Sequence, residues 1–473
     1  MPLYSSSIKD IALWPLPHVA LVAAMGMIFG FDLGSVFINH EIVSDFFLIA
    51  DSKADIISGT YILGFIFGVF IAGYVNYGSG RKLSIISAIT VGSLAIFASL
   101  VAPNFSILLC SELVIGFSLG LYLVSASLYN CEIMLPVNRG MGLMMTPVGV
   151  MAGGFFSFIA SAEVTDHPFL VFIGLFITNI ILVSIAIVKL SESPRYLALT
   201  GSTDAALSVL FKLRHDMGAA ARELAEINEC CRGESRGFEF FLQNTVYRRL
   251  LSYMCIAAFL FNVGGVSVIP YVLIDKMSLY LICLKDESCY FSVNNKVIYA
   301  TFLMAFIGVF LHALSIERNK RRLVVLYSSA IALAALGAAL VSSLFPTGTI
   351  QQFILFISIM IFVLFSLGSF MVFIAAIAPE LMPVRGREFG LASIFMAHGI
   401  GLLGSMQMYS PVIHTYGLSG LLAVGFISSL LLLYINMLYL PNPGRLTLES
   451  IENRIMSASR FSDINKANEK GLN

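Results

Sequence analysis

Charged side chains are scarce in this chain: only 12% of its 473 residues are Asp, Glu, Lys or Arg, and 28 acids balance 28 bases. The scarcity excludes an ordinary soluble surface, and nothing in the global balance suggests nucleic acid or an acidic partner. Cysteine is sparse too, and none of the seven has zinc-ligand spacing. Cys110, Cys131 and Cys255 lie in or beside apolar runs and Cys230 and Cys231 in a charged loop, so no structural metal is expected. Cys283 and Cys289 share a polar loop, where a disulfide requires an oxidising compartment and two free thiols are the alternative. No Ser/His/Asp arrangement and no phosphate-binding loop is recognisable, so neither an enzyme nor a cofactor is expected. The first apolar run lacks a small-residue cleavage site and is expected to stay as a membrane helix.

Apolar residues take the place of the missing charge. Hydrophobic residues make up 58% of the chain, mean hydropathy is +0.89 and Phe alone accounts for 38 residues. That is more apolar surface than a soluble fold buries, and it implies an all-α polytopic membrane protein whose surroundings are the lipid bilayer. A spanning helix needs roughly 20 apolar residues. That template fits twelve times, near 17–38, 54–76, 83–102, 105–131, 141–161, 168–189, 249–274, 297–315, 323–344, 351–378, 388–410 and 417–440.

Six spans precede one long polar segment and six follow it. The expected organisation is an N-terminal segment 1–16, a six-helix bundle 17–190, a linker 191–248, a second six-helix bundle 249–440 and a tail 441–473. In the linker, Ser202, Thr203 or Asp204 is placed to cap a helix carrying Ala206, Leu207, Leu210, Phe211 and Leu213, and two to four short surface helices are expected. Pro441, Pro443 and Gly444 end the last span, and the final residues read as a disordered tail. With the N-terminus cytoplasmic, 24 of the 28 Lys and Arg fall on the cytoplasmic side, leaving Lys53, Lys276, Lys285 and Lys296 opposite. Both termini and the linker are therefore expected in the cytoplasm, in a multi-pass protein of the plasma membrane.

Within the first span lies a lone carboxylate, Asp32, and an acid at bilayer depth marks a functional site by default. Gly26, Gly30 and Gly34 recur every four residues, a stripe that admits a neighbouring helix, while Asp32 projects from the other side, toward an expected cavity.

A pattern across about 370 residues resembles the sugar porter family of the major facilitator superfamily. After span two, Gly73 with Gly80, Arg81 and Lys82 is similar to that family's loop motif, with Tyr77 where its aspartate would stand. After span four, Tyr129, Glu132, Arg139 and Gly140 match its Tyr-x-x-Glu followed by Arg-Gly. The stretch SESPRYL, Ser191 to Leu197, resembles its Pro-Glu-Ser-Pro-Arg-Trp-Leu element. In the second half, Glu317, Arg318, Arg321 and Arg322, and then Pro379, Glu380, Pro383 and Arg387, resemble the repeats of the same loops, and PNPGRLTLESI from Pro441 resembles the family's closing segment.

The resemblance implies the major facilitator fold, two six-helix halves that move a monosaccharide, a hexose-like sugar or polyol, by alternating access. It places Arg81, Glu132, Arg139, Glu192, Arg195, Glu317, Arg321, Glu380 and Arg387 in a cytoplasmic gate of exposed pairs contributing about 0 to 1 kcal/mol each.

The sugar ligands of the family are largely replaced. Pro147 and Gly154 stand at its span-five glutamines, Leu260 and Phe261 at its span-seven Gln-Gln pair, Ala375 at its span-ten tryptophan, and His398 with Gly399 at a Gln-Trp pair. Either a sugar is held by a rearranged set, Asn262, Ser267, Tyr271, His398 and Gln407, or the scaffold carries a non-sugar solute; a non-transporting sugar sensor is the rival of another class. Asn262, Gly264, Gly265, Ser267 and Pro270 interrupt span seven, which is expected to unwind there.

Phe29, Gly30, Phe31 and Asp32 resemble the helix-one element of proton-coupled members, whose aspartate pairs with an arginine in helix four. Here that arginine is Glu112, so Asp32 and Glu112 are the candidates for a shared coupling proton; the alternatives are that Glu112 lies near the aqueous end of span four, or that Asp32 is a helix-packing acid in a passive uniporter. The expected partners are thus a small-molecule substrate and, in the coupled alternative, a proton, with no obligatory protein partner.

Overall fold

A computed structural model of the chain describes residues 15–38, 51–163, 168–231, 235–266, 287–345, 348–444 and 446–457. Its described residues are almost entirely helical. Spans one to six are Leu16–Ile38, Asp51–Ser79, Arg81–Leu100, Phe105–Ile133, Arg139–Glu163 and Pro168–Lys189. Spans seven, eight and nine are Thr245–Val263, Glu287–Ser315 and Arg321–Ser343. Span ten starts at Thr349 and passes through a π-helical stretch, Val372–Ile377, before ending at Leu381. That wider turn stands just ahead of Pro379, which has no N–H for the carbonyl four residues back. Spans eleven and twelve form one element, Arg387–Tyr439, broken at Gly417, whose φ of 68° is a backbone state that glycine adopts without strain. Among the described residues, ten of these helices are long and apolar enough to cross a membrane alone, and Ile173–Lys189 and Tyr299–Ser315 are shorter apolar segments.

Each half repeats one packing plan. Span one lies on span five and span two on span four; in the second half, span seven lies on span eleven and span eight on span ten. Small residues bring these pairs together. A Cβ on Gly30 would overlap the Val150 carbonyl, and one on Gly64 would overlap that of Leu113. Without a hydrophobic drive between helices in lipid, such close backbone approach and its dispersion contacts hold the pairs. The halves meet along spans two and eleven and along spans five and eight. At the second seam Phe155 stacks on Phe306 at 6.0 Å and lies 5.4 Å from Tyr299. Outward faces stay apolar, with Phe67 59%, Leu94 61% and Phe353 61% exposed, as a lipid-facing wall requires.

Between the halves, the linker folds into helices Pro194–Leu199, Thr203–Arg214, Met217–Cys230 and Glu239–Gln243. Ser202 is the N-cap of the second of these, without a side-chain capping bond. Beyond span twelve the chain forms a further helix, Leu448–Ser457, that the polar character of the tail does not announce. Its Leu448, Ile451 and Ile455 are buried, on a spacing of three and four residues. The final residues read as disordered, 458–473, fall outside the described residues, as do Cys283 and the side chain of Cys289.

Candidate functional site

Charge concentrates at the linker-side ends of the spans, and there the structure brings the nine expected gate residues together. Arg81, at the start of span three, donates through Nε at 2.9 Å and Nη2 at 3.0 Å to Glu132, at the end of span four. In the second half Arg321, at the start of span nine, pairs with Glu380, near the end of span ten. Each acid also faces an arginine of the opposite half: Arg387 Nη1 lies 3.7 Å from Glu132, and Arg139 Nη1 lies 3.8 Å from Glu380. Glu317 accepts from the backbone N–H of Met141 at 2.9 Å, a further bond between the halves.

The expectation of exposed, weak pairs is corrected here. Arg81, Glu132 and Arg387 are 0% exposed and Arg139 and Glu380 1%. The reason is a cover that charge counting along the spans does not include, namely the linker helices and the tail helix packed over the span ends. Breaking a buried pair by removing one partner costs about 3 to 5 kcal/mol, because the other charge stays behind.

Glu192 fastens that cover to span three, accepting from the backbone N–H groups of Arg81 at 2.9 Å and Lys82 at 3.2 Å where a helix N-terminus favours an anion. Burial pushes its carboxyl above the ordinary value, against the pull of these donors and of the Ser193 N–H. Arg195 donates to the Glu132 carbonyl at 2.6 Å and to Glu449 of the tail helix at 3.0 Å. Burial works against its charge, yet Glu449, Glu223 and Glu132 together raise its pKa above that of a free guanidinium.

Four acids missing from the expected set join this cluster. Glu388 reaches Arg81 across the halves at 3.5 Å, and Glu452 accepts from the Val384 N–H at 2.8 Å. Glu223 receives Arg214 through two bonds, 2.8 and 2.9 Å long, and Glu449 receives Arg195. Glu388 and Glu449 had a signal, since one adjoins Arg387 and the other lies in the closing segment PNPGRLTLESI.

Among the described residues Asp32 is buried, 3% exposed, rather than turned to an open cavity, and Glu112 of span four, 4% exposed, stands in its electrostatic field. The Gly26–Gly30–Gly34 stripe on the other side packs against span five, where Gly34 would meet the Gly154 carbonyl at 2.8 Å if it carried a Cβ.

Among the substrate candidates, Asn262 and His398 come together. The Asn262 amide donates to His398 Nδ1 at 2.7 Å and to the His398 carbonyl at 3.2 Å. Phe370 of span ten and Phe65 of span two stand 4.8 and 5.9 Å from the imidazole, so the pair sits where the halves meet. His398 lies eleven residues into span eleven, or about 16 Å along it, near half the bilayer depth.

Span seven ends as a helix at Val263, and Gly265 follows with φ 89°. Ser267, Pro270 and Tyr271 lie outside the described residues. Gln407 is exposed and nine residues beyond His398, half a turn round the helix, so the structure does not bring it to the pair.

A family model described as "Sugar (and other) transporter" matches residues 19–453. The chain is 24% identical over 454 residues to a galactose-proton symporter of Escherichia coli, covering 94% of this chain and 95% of that one. It is 22% identical over 454 residues to an arabinose-proton symporter of the same organism, covering 94% of each. Among solved structures, the proton:xylose symporter XylE bound to 6-bromo-6-deoxy-D-glucose superposes with a TM-score of 0.74 at 17% identity, over 92% of this chain and 98% of that chain. A double Trp mutant of XylE superposes with a TM-score of 0.79 at 14% identity, over 93% and 99%.

Proposed function

The chain belongs to the sugar transporter family, and from that premise we propose that it is a membrane carrier moving a monosaccharide, a hexose-like sugar or polyol, by alternating access together with a proton. The linker side is the cytoplasmic side of the plasma membrane, and the arrangement is a carrier closed on that side. The observation that supports this reading most is the reciprocal latch. Each half keeps its acid on its own arginine, Glu132 on Arg81 and Glu380 on Arg321, and lends that acid to the other half's arginine, Arg387 or Arg139. A latch of this form releases the halves without leaving either acid alone.

In this reading Asn262 and His398 contact the substrate, with Ser267 and Tyr271 of span seven as further candidates; an amide and an imidazole both donate to and accept from sugar hydroxyls. Gln407 is left out of the set. Asp32 and Glu112 carry the coupling proton, and no catalytic step or obligatory protein partner is involved.

The test is uptake of a panel of labelled hexoses, pentoses, polyols and non-sugar solutes into proteoliposomes, with and without a proton gradient. Uptake of a sugar or polyol is expected, faster with the gradient. Uptake of a non-sugar solute alone would reassign the substrate, and uptake of none would leave a sensor as the better reading. Asp32→Asn is expected to abolish the effect of the gradient; unchanged, equally pH-dependent uptake would make the carboxylate structural.

A further inference from the structure

A cavity of the second half adjoins the pair formed by Asn262 and His398. It lies among spans seven, eleven and twelve, with Asn262 itself in its wall beside Ser405, Met408 and Val412 of span eleven and Leu421 and Val424 of span twelve. His398, Ser405 and Val412 follow one another at intervals of seven residues, so each stands within about 20° of the last on one face of the helix. Each interval also carries the chain about 10 Å further from the linker side. The cavity thus continues the face that bears His398, from the middle of the membrane toward the opposite surface. Span seven leaves its helix there, turning at Gly265 with φ 89°, and neither Gly265 nor Gly425 brings a side chain to fill the space.

The walls are mainly aliphatic, and the donors of the two polar side chains are already engaged. The Asn262 amide is held by His398 and by the Ala258 carbonyl at 3.0 Å, and the Ser405 hydroxyl donates to the Leu402 carbonyl at 2.9 Å. The cavity measures about 20 Å³, above the roughly 10 to 15 Å³ that one water needs, but a water requires two to four polar partners that aliphatic walls do not supply. An apolar group of about methyl size is the guest that such walls favour.

We propose that this cavity is a subsite for the methyl group of a deoxyhexose, so that the carrier takes a 6-deoxy sugar in preference to the parent hexose. The inference rests on the carrier reading and names its substrate class. With the ring hydroxyls at Asn262 and His398, a methyl projecting along span eleven is buried among Val412, Leu421 and Val424. A hydroxymethyl in its place sets an oxygen where the neighbouring donors are spoken for, and that oxygen gives up its hydration without a matching bond. A membrane lipid fits less well, because its polar head belongs at the surface, whereas Asn262, the polar end of this cavity, is the deep end.

The experiment uses the full chain in proteoliposomes and compares sugars that differ at C6 alone: 6-deoxy-D-glucose with D-glucose, 6-deoxy-D-galactose with D-galactose, and L-rhamnose with L-mannose. In at least one pair the 6-deoxy sugar is expected to show a KM about tenfold below that of its parent, the low end of what one small group decides in an apolar pocket. Val412→Thr and Val424→Thr keep the shape of the side chain and add a hydroxyl, and at least one of them is expected to cut that preference to about threefold or less. Independently of transport, the 6-deoxy sugar is expected to raise the thermal midpoint of the purified wild-type protein more than its parent does at equal concentration. Equal KM within every transported pair, or a preference that both variants leave untouched, would overturn the subsite and leave the carrier standing. Uptake confined to solutes outside these pairs would do the same. Absence of uptake under every gradient would overturn the carrier; the thermal shifts then decide the subsite alone, a larger rise with the 6-deoxy sugar supporting it and an equal or absent rise overturning it.

Discussion

Arg387, at the start of span eleven, stands 3.7 Å from Glu132, at the end of span four, and so ties the two halves across the linker side. Its counterpart, Arg139 to Glu380, spans 3.8 Å. Both are longer than the 2.9 Å pair between Arg81 and Glu132 within the first half. The tighter bond stays with the half and the looser one crosses, the order a reversible latch needs. Replacing both acids, Glu132→Gln with Glu380→Gln, removes the carboxylates that Arg139 and Arg387 face across the halves and leaves Arg81 its longer contact with Glu388, 3.5 Å, and Arg321 that with Glu317, 3.9 Å. Initial uptake is expected to fall at least about tenfold, while the protein remains monodisperse in detergent because the span–span packing is untouched. Normal uptake by the double mutant would remove the latch from the mechanism.

The close approach of spans one and five makes a second prediction. A side chain at Gly30 meets the Val150 backbone, which has no rotamer to yield, whereas Gly59 has nothing among the described residues within 4 Å of its would-be Cβ. Gly30→Leu is expected to lower stability by about 1 to 3 kcal/mol, the usual cost of overpacking, and Gly59→Ala to leave it nearly unchanged. Thermal unfolding of both in one detergent checks the contrast, and equal midpoints would mean that the stripe is not a packing face.

Much of this was legible in the sequence, for identifiable reasons. In a chain with so little charge, Arg81, Glu132, Arg139, Glu380 and Arg387 stand out at the ends of apolar runs, and their order repeats in the two halves. The glycine stripe around Gly30 is likewise readable as a contact face. Burial of the latch was not legible, because the cover comes from segments distant in the chain: Arg195 meets Glu449 across 254 positions. The tail helix escaped a reading based on polarity, although Leu448, Ile451 and Ile455 carry its period. Glu112 as a candidate partner of Asp32 comes from the family resemblance, through the helix-four arginine position it occupies, while the burial of both acids needed the packing of the spans.

The Asn262 and His398 pair separates a binding role from a purely structural one. Asn262→Ala removes the amide from His398 Nδ1 and from any hydroxyl at the same place. If the pair binds substrate, the KM for uptake is expected to rise about tenfold, equivalent to the roughly 1 to 1.5 kcal/mol of one net hydrogen bond, with little change in maximal rate. If the pair only joins spans seven and eleven, the thermal midpoint falls and KM stays where it was. Concentration dependence of uptake, measured beside thermal unfolding, distinguishes the two.

The linker lock has a pH signature that can be derived from Glu223. Burial alone would push its carboxyl up, but Arg214, held by two bonds, and Arg195 at 3.6 Å outweigh it and hold the carboxyl below its ordinary value of 4.5. A depressed value in the folded state means that the ionised form is favoured by folding. Its contribution is therefore complete above about pH 4.5 and is lost as the pH falls through the folded value. Glu223→Gln is expected to lower the thermal midpoint at pH 7, and the gap to wild type should close progressively below about pH 4.5. A gap that stays constant down to pH 3 would show that the side chain acts by packing rather than by its charge, and would detach Arg195 and Arg214 from the electrostatic account of the lock.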